Sequence, residues 1–472
     1  MIGLVYGIFG KIYFLFVKLY KRELLNCKRR YMSNLKSFSN ILDGVDGHYL
    51  PSFFIIQLDT NIDPLQFNKN NLTHTIVHEF VHFIQDTSTC YGLTNISATY
   101  ARAFNFYNIP DKEIKLPYQF IGNVRNELIN RRLFKKYFNR TKIDISTPPK
   151  EPLIKPEFPI NNINVKITSK KEKIKDFYHT VLTFFITIWM SKSPVKRLYT
   201  FGSHAIMEGM AAAIEDKLYP PSVPKSCNFA PYDLPKAVIK SIYPDMENDD
   251  AFLVALCDAS LMYYNSAEIF IKTLRKMKRE EFSYNNLNEI YEYCFNYLKP
   301  DNKNVKDFFI ENVNNAKSAI NNMVNAPRPE YYQARDWIID IIEDYKNLRL
   351  NDFSFLSKIM TLPQQQALQE MRNLTNRKSS PFIVNNEIKF GAFGNITQTQ
   401  KDYGFYWFNL YRMYDFLFES KAVMCPFWDY CGHGDGVCED KPWLVDKNKG
   451  FYCNYEQFAQ MFALYKRKIK NK

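Results

Sequence analysis

Three residues near the start of the chain have the types and the spacing of a metal site. His78, Glu79 and His82 form the pattern H-E-x-x-H, in a chain with seven histidines. In a helix of about 3.6 residues per turn, His78 and His82 lie one above the other, roughly 6 Å apart along the axis, so both imidazoles can reach one ion. Glu79 lies about 100° around the helix from His78, which suits a group beside a metal-bound water. The pattern predicts a catalytic zinc site with Glu79 beside the metal-bound water.

The segment that carries these residues has the pattern of a helix. Between residues 72 and 86 the apolar side chains recur at intervals of three and four, and Asn70, Asn71 or Thr73 can cap the N-terminus. Residues 52–58, S-F-F-I-I-Q-L, follow Pro51 and precede a turn-rich segment. This short apolar run predicts a β-strand directly before the helix.

A zinc site needs more than two histidines, because they supply only half of its coordination shell. Glu208 is our candidate for the third ligand, 126 residues after His82 in the segment S-H-A-I-M-E-G-M-A-A-A-I-E. Gly209 and the alanines that follow it give the predicted helix 203–218 little bulk, so it can pack closely against another helix. Zinc with three protein ligands keeps a position open for water and lowers the pKa of that water to about 7.

The two segments together resemble the zincin metallopeptidases of the glutamate-ligand type. H-E-F-V-H-F-I-Q and E-G-M-A-A-A-I-E are similar to groups that read H-E-x-x-H-x-x-Q and E-G-x-A-x-x-x-E. The resemblance implies a zincin-like catalytic core that binds Zn²⁺ through His78, His82 and Glu208, with Glu79 as the base and a peptide or protein as the substrate. The N-E-x-x-S-D context of thermolysin-like enzymes is missing from the sequence. The alternative is a non-catalytic, zinc-stabilised binding or interaction protein that keeps the H-E-x-x-H helix as a structural element.

His74 lies one turn before His78 and invites an interpretation with three histidine ligands. Along a helix, however, His74 and His82 are about 12 Å apart, too far for both to join His78 on one ion. We therefore predict that His74 packs beside the ligands or contacts one of them.

Other polar residues could support the site without binding the metal. Zinc-bound histidines usually donate their second N–H to an acceptor. Candidates for that acceptor are Gln85, Asp86 and Glu215. The oxyanion of the reaction also needs a donor, and the candidates are His204, Tyr263 and Tyr264.

The C-terminal part of the chain contains a second group of metal-binding residue types. They are Cys425, Cys431, Cys438 and Cys453, with His433 between them. Four thiols can close a structural zinc site, although this spacing lacks the C-x-x-C pair, and ordinary thiols are the alternative. The chain has nine cysteines and no pattern of a secretion signal, which favours a reducing compartment, by default the cytoplasm.

The net charge of +13 is concentrated at the two ends of the sequence. Residues 1–31 contribute +6 and residues 466–472 contribute +5, which leaves +2 for the rest. Nucleic-acid binding therefore has little support from composition. We expect solvated basic tails, with an electrostatic anchor as the alternative. Residues 2–17 are apolar apart from Lys11, so the first 31 residues are either an amphipathic membrane anchor or sequence that precedes a true start at Met32.

The overall pattern predicts an α+β fold that is mainly helical, with a short β-element before the metal helix and a large helical body behind it. Helices are expected at 97–107, 171–190, 203–218 and 403–418 and near 249–278, 285–298, 303–325, 330–348 and 352–376, and a strand within 381–390. Cys90-Tyr-Gly is expected to end the metal helix, and residues 181–190 to form a core helix.

We predict four regions from these patterns. They are a basic extension (1–31), a zincin-like metal-binding core (32–220), a helical domain completing the cleft (221–420), and a Cys-rich segment with a basic tail (421–472). The core is expected to contain an insertion at about 119–170, part loop and part hairpin, which rims or covers the site or is a solvated surface excursion. Its marks are a basic patch, five prolines between 148 and 159, and an alternating run at 163–167. The patch consists of Arg131, Arg132, Lys135 and Lys136.

Overall fold

The structure is a computed structural model, and it describes most of the chain from residue 47 onward. The described residues are 47–61, 63–64, 72–109, 113–118, 143–144, 160–174, 177–190, 196–220, 229–297, 299, 303–323, 329–377, 379–393, 397–420, 424–429, 431, 438–439, 441–444 and 453–470. The chain divides into two units, Met1–Asp46 and Gly47–Lys472, and the described residues all belong to the second. The predicted N-terminal extension, the basic patch at 131–136, the prolines at 148–159 and His433 lie outside the described residues.

Helices form most of the described structure, so the prediction of a mainly helical α+β fold is confirmed. The helices are α1 His74–Ser88, α2 Cys90–Tyr107, α3 Ser203–Leu218, α4 Phe229–Tyr232, α5 Leu234–Ile242, α6 Asp250–Leu261, α7 Ser266–Arg279, α8 Leu287–Tyr297, α9 Val305–Met323, α10 Pro329–Asn351, α11 Gln364–Thr375, α12 Gln398–Phe418 and α13 Asn454–Met461. The strands are β1 Gly47–Leu50, β2 Ile55–Leu58, β3 Glu113–Lys115, β4 Ile143–Asp144, β5 Ile160–Ile174, β6 Phe177–Met190, β7 Lys196–Phe201, β8 Phe382–Val384, β9 Phe390–Ala392 and β10 Lys468–Lys470.

Helix α1, the predicted metal helix, lies at the centre of the fold. Thr73 caps it by accepting a hydrogen bond from Ile76 N at 3.3 Å. Every residue from Ile76 to Ser88 is buried, because α1 packs against α2, α3, α10 and β1. A helix surrounded in this way holds its polar side chains out of bulk water. Electrostatic interactions between these side chains are therefore stronger than they would be in water.

The predicted strand at 52–58 begins later than expected. Residues 51–54 form a turn in which Ser52 and Phe54 have φ angles of 69° and 60°, so β2 starts at Ile55. β1, which was not predicted, precedes the turn and pairs with β2 antiparallel, and β2 pairs with β8 parallel. Asp86 of α1 holds the turn by accepting hydrogen bonds from Ser52 N at 2.7 Å and from the Tyr49 hydroxyl at 2.9 Å.

The prediction that Cys90-Tyr-Gly ends the helical region is wrong, because Cys90 begins α2. Thr89 separates the two helices and caps the second by accepting a hydrogen bond from Gly92 N at 3.1 Å. A Cβ on Gly92 would lie 2.3 Å from Asp86 Cα. Gly92 therefore allows α2 to start directly against α1, where a larger residue would collide with its backbone.

The prediction of helix at 171–190 is also wrong, including the core helix at 181–190. Strands β5 and β6 form an antiparallel hairpin in which Val165 pairs with Ile186, and β7 extends this sheet. The segment F-Y-H-T-V-L-T-F-F-I-T-I-W-M is rich in β-branched and aromatic residues, which favour strands over helices. The alternating run at 163–167 lies in β5, so a hairpin forms here, although it extends beyond residue 170.

The helices predicted between residues 249 and 376 are present as α6 to α11, although the helix predicted at 352–376 begins only at Gln364. The strand predicted within 381–390 is present as β8, and β9 begins at Phe390. The region predicted as one helix at 249–278 is two, α6 and α7, and helices α4 and α5 were not predicted. None of the helices in the described part of the chain has the length and apolar character that a membrane crossing requires.

The prediction that the basic C-terminal residues are a solvated tail is wrong for Arg467, whereas the Lys468 side chain is 78% exposed. β10 pairs with β3 in parallel. Arg467 donates to Phe106 O at 2.8 Å and to Tyr107 O at 2.9 Å, and its guanidinium lies 4.8 Å from the Phe106 ring centroid. The last carbonyl groups of a helix lack partners within it, and Arg467 supplies donors to those of α2.

The C-terminal end of α1 is fixed by a buried ion pair that the sequence analysis did not identify. Arg349 of α10 donates from Nε to Ser88 O at 3.0 Å. Its guanidinium also makes a two-pronged contact with Asp258, with nitrogen–oxygen distances of 2.6 and 3.0 Å. Both side chains are 0% exposed, and the Tyr291 hydroxyl donates to Asp258 at 2.6 Å.

Candidate metal centre

The predicted metal site is formed where α1 and α3 pack together. Glu208 Oε2 lies 3.1 Å from His78 Nε2 and 3.4 Å from His82 Nε2. The three ligand atoms all lie within 4.8 Å of one another, so this group could hold a metal ion. Ligand atoms around a tetrahedral zinc ion are about 3.3 Å apart, given zinc–ligand distances near 2.0 Å, and the two distances from Glu208 Oε2 match this separation.

Gly209, one of the small residues of α3, packs against elements other than α1. A Cβ on Gly209 would lie 2.6 Å from Pro235 Cγ and 3.0 Å from Tyr232 O. Gly209 therefore permits close contact with α4 and α5, on the side of α3 where Pro235 lies. This contact fixes the position of α3 directly beside Glu208, which is the residue before Gly209.

The orientation of the His82 ring is set by Gln85, one turn later on α1. Gln85 Nε2 donates to Met207 O at 3.0 Å, which leaves Oε1 to face His82 Nδ1 at 2.8 Å. An amide oxygen only accepts hydrogen bonds, so His82 Nδ1 must carry the proton. The lone pair of His82 Nε2 then points to the place where Glu208 and His78 converge.

The His78 ring is oriented by a carboxylate instead of an amide. Glu215 Oε2 lies 3.1 Å from His78 Nδ1, and its Oε1 lies 3.4 Å from His74 Nδ1. A carboxylate accepts from an N–H, so His78 Nδ1 is also the protonated nitrogen. His74 packs on Tyr219, with a centroid distance of 4.6 Å, and it reaches the ligands through Glu215.

The contacts of Gln85 and Glu215 with the two histidine rings leave three hydrogen-bond acceptors facing one another. The Nε2 lone pairs of His78 and His82 face a Glu208 oxygen, an arrangement that a proton or a metal cation between them stabilises. Burial lowers the pKa of His78, but hydrogen bonds with Glu208 and Glu215 and the charges of Glu208 and Glu79 outweigh it and raise the pKa to about 10. Burial raises the pKa of Glu208, and the two imidazoles reverse this and hold it well below its usual value. The site therefore favours positive charge where the ligand atoms meet.

Glu79 lies beside the ligand group and is fixed by the backbone of β1. Its Oε2 accepts a hydrogen bond from Tyr49 N at 2.6 Å, and the residue is 7% exposed. Burial raises its pKa, and the charges of His82 and His78 oppose that rise. A raised pKa brings a carboxylate closer to the range in which it can both accept and return a proton.

The remaining predicted site residues fall into two groups. His204 Nε2 lies 3.4 Å from Glu208 Oε1, and its side chain is 46% exposed. Tyr263 instead donates to Cys294 O on α8 at 3.2 Å, and Tyr264 packs on Phe308 of α9 at 4.9 Å. Asp86 binds the turn at 51–54. The structure therefore places His204, Gln85 and Glu215 at the ligands and the other three with neighbouring elements.

Three contributors to the site have no signal in the sequence. Tyr49 and Met207 act through backbone atoms, which any residue could supply. The Tyr232 ring lies edge-on to His78 with a centroid distance of 5.9 Å. Gln85, in contrast, was predicted as an acceptor for a ligand imidazole, and it lies three residues after His82 on the same helix face.

The four C-terminal cysteines that the structure describes are free thiols. Cys425 N donates to Cys438 O at 2.7 Å, which brings their two segments together. Burial raises the pKa of the Cys425 thiol to about 12, and the neighbouring cysteines add to that shift. Among the described residues the group whose ligand atoms converge is His78, His82 and Glu208, so a structural metal at these cysteines stays a prediction.

The described geometry thus supplies two oriented imidazoles, one carboxylate ligand and one adjacent carboxylate that is held by a backbone N–H. Such an arrangement can bind a divalent ion and place a proton acceptor next to it. The chain matches no protein-family model, no curated protein and no solved structure.

Proposed function

We propose that this protein is a zinc-dependent metallopeptidase in which Glu79 acts as the general base. The observation that carries the proposal is the convergence of His78 Nε2, His82 Nε2 and Glu208 Oε2 within 4.8 Å. Two histidines and a glutamate, with a second glutamate directly after the first histidine, are the set used by peptidases with the H-E-x-x-H helix.

Zinc is the ion we propose for this site because of the donor atoms. Two neutral imidazole nitrogens and one carboxylate oxygen suit zinc, whereas calcium and magnesium sites consist mainly of oxygen. Bound there, zinc would polarise the substrate carbonyl group and lower the pKa of water. The tautomers imposed by Gln85 and Glu215 leave both Nε2 lone pairs available to it.

In this proposal Glu79 moves the proton between water and the leaving amine. Tyr49 N–H holds one oxygen of the carboxylate, and this leaves the other as the acceptor of the proton from the attacking water. Glu79 then returns the proton to the amine nitrogen as the peptide bond breaks. We propose the half-exposed His204, whose Nε2 lies 3.4 Å from Glu208 Oε1, as the donor to the substrate oxygen.

The first test combines zinc content with the variant Glu79→Gln. Wild-type protein should hold about one zinc per chain after dialysis, and Glu79→Gln should hold the same amount. Cleavage of a mixture of synthetic peptides, followed by mass spectrometry, should fall by at least about 10²-fold, the lower end of what a general base contributes.

Each other outcome of that test has a clear meaning. Wild type without zinc contradicts the whole proposal. Zinc bound with cleavage that Glu79→Gln leaves unchanged contradicts the role of Glu79. Zinc bound without any cleavage of the peptides supports the alternative, a zinc-stabilised interaction protein that is not an enzyme.

We also propose a reducing compartment such as the cytoplasm, because the seven cysteines that the structure describes are free thiols. A contact with membranes would depend on residues 1–31, which lie outside the described residues. We do not expect a nucleic-acid partner, since the positive charge is concentrated at the two ends of the sequence.

A further inference from the structure

We infer that Gln85 is a positioning residue for the metal centre: it fixes the tautomer and the ring orientation of His82 and couples that ring to the helix that carries Glu208. The inference rests on the proposed metal site. It concerns a residue that touches neither the metal position nor the substrate directly.

Both the nitrogen and the oxygen of the Gln85 amide make hydrogen bonds, and together these bonds allow only one orientation of the amide. Met207 O requires a donor, and Gln85 Nε2 supplies it at 3.0 Å. If the amide were rotated by 180°, Oε1 would face the Met207 carbonyl oxygen, and two acceptors would meet in a region where Gln85 is 1% exposed. Leaving a buried polar group without a hydrogen-bond partner is costly, so the observed orientation is strongly preferred.

The consequence for His82 follows from that preference. With Oε1 held against His82 Nδ1 at 2.8 Å, the proton of a neutral imidazole must be on Nδ1, and Nε2 is left as the ligand atom. Without Gln85, the ring could rotate or change tautomer, and the ligand nitrogen would be available for only part of the time.

Gln85 also joins the two ligand helices at the site itself. Met207 directly precedes Glu208 on α3, so one side chain connects the ring of a ligand on α1 to the backbone next to a ligand on α3. His78 is held differently, by the charged Glu215, which also contacts His74. A neutral amide at position 85 gives orientation without adding another buried negative charge beside Glu79, Glu208 and Glu215.

The test compares zinc affinity between Gln85→Met and a matched control. Methionine keeps the length and volume of the side chain but neither hydrogen bond. Gln364 serves as the control, since its Nε2 donates to Leu218 O at 2.9 Å, at the other end of the same helix α3. We expect Gln85→Met to weaken zinc binding by about 10–100-fold, as measured by competition with a chromophoric chelator. Gln364→Met should stay within about threefold of wild type, because its amide contacts no ligand.

A second variant separates orientation of the ring from general damage. Gln85→Glu keeps an acceptor for His82 Nδ1 and should recover part of the affinity that Gln85→Met loses. The absorption spectrum of the cobalt-substituted protein should change in Gln85→Met and remain that of wild type in Gln364→Met. If Gln85→Met does not fold, Gln85→Asn gives the same comparison, because its shorter amide cannot reach both His82 and Met207.

The inference is overturned if Gln85→Met binds zinc as tightly as Gln364→Met, or if Gln85→Glu binds no better than Gln85→Met. Wild type that binds no zinc would instead remove the proposed function and the inference with it. Since each result is a binding measurement, the inference can fail while the peptidase proposal stands.

Discussion

Two buried charged clusters contact the same helix, α1, and they are balanced in different ways. At the C-terminal end, the positive charge of Arg349 meets the negative charge of Asp258, with both side chains 0% exposed. In the middle, Glu208 meets His78 and His82, whose positive charge depends on bound protons that a metal ion can replace. In the described part of the chain, no lysine or arginine pairs with Glu208.

This difference in charge balance indicates that the Arg349 cluster supports the fold, whereas the Glu208 cluster can bind a cation. The Arg349 cluster has its opposite charges in place and needs nothing further, so its contribution is to hold α10 and α6 against the end of α1. The Glu208 cluster has no permanent positive charge: its carboxylate raises the pKa of His78 and His82, and a metal ion can take the place of the proton between them. A site of the second kind can bind a cation, whereas a site of the first kind cannot.

The largest effect should come from breaking the balanced cluster. Asp258→Ala leaves the Arg349 guanidinium buried without an opposite charge, and this should lower the free energy of unfolding by about 3–5 kcal/mol. Urea unfolding followed by circular dichroism measures the change. The zinc affinity of the folded variant should remain close to that of wild type, because none of the ligands contacts Asp258.

A double variant provides the control for that prediction. Asp258→Leu combined with Arg349→Met removes both charges, so the double variant should be more stable than Asp258→Ala, because no unpaired charge remains buried. A loss of less than about 1 kcal/mol in Asp258→Ala would show that water reaches the ion pair, and the contrast between the two clusters would then be wrong.

The next effect is the stabilisation of the fold by zinc at the unbalanced cluster. At a free zinc concentration of about 100 times the dissociation constant, binding to the folded state should raise the free energy of unfolding by about 2.7 kcal/mol. A chelator should remove this gain. Thermal and urea unfolding of Glu208→Ala should not respond to zinc, whereas Asp258→Ala should respond as wild type does. A zinc response that persists in Glu208→Ala would mean that the ion binds elsewhere.

The sequence was sufficient for the parts of the site that depend on local geometry. Spacings of one, three and four residues on a helix are preserved whatever the helix packs against, so His78, Glu79, His82 and the position of Gln85 could be read directly. Glu208 is far along the chain, and its proximity to the ligands could only be inferred from a second helix of small residues.

The remaining features depend on tertiary contacts that no local pattern specifies. Gly209 indicated a close helix contact, but the partner was Pro235 and not α1. The segment at 177–190 is so rich in apolar residues that its pattern does not distinguish a helix from a strand. It forms the strand β6 because neighbouring strands pair with it. Arg467 was one of several basic residues at the chain end, and it became structural only because α2 ends where its guanidinium can reach.

A third buried carboxyl group, Asp86, lies between the two clusters and gives the smallest effect. Its partners, the Tyr49 hydroxyl and Ser52 N–H, are neutral donors. Burial raises its pKa from 3.8 to about 7, against the effect of these hydrogen bonds and of His82. The folded protein therefore keeps the Asp86 proton up to about pH 7, while the unfolded chain releases it near pH 3.8. Between these values the folded state binds more protons, so stability falls as pH rises.

Asp86→Asn removes this titration while its side-chain oxygen can still accept both hydrogen bonds. In the presence of chelator, the free energy of unfolding of wild type relative to Asp86→Asn should fall by about 1.4 kcal/mol per pH unit between about pH 5 and 7. Asp352→Asn is the control: hydrogen bonds with Lys358 and Ser354 outweigh burial and lower the pKa of Asp352, so it is ionised in both states and the difference should not vary with pH. An Asp86→Asn difference that is equal at both pH values would mean that Asp86 is ionised throughout and that a negative charge can be held within this core by neutral donors alone.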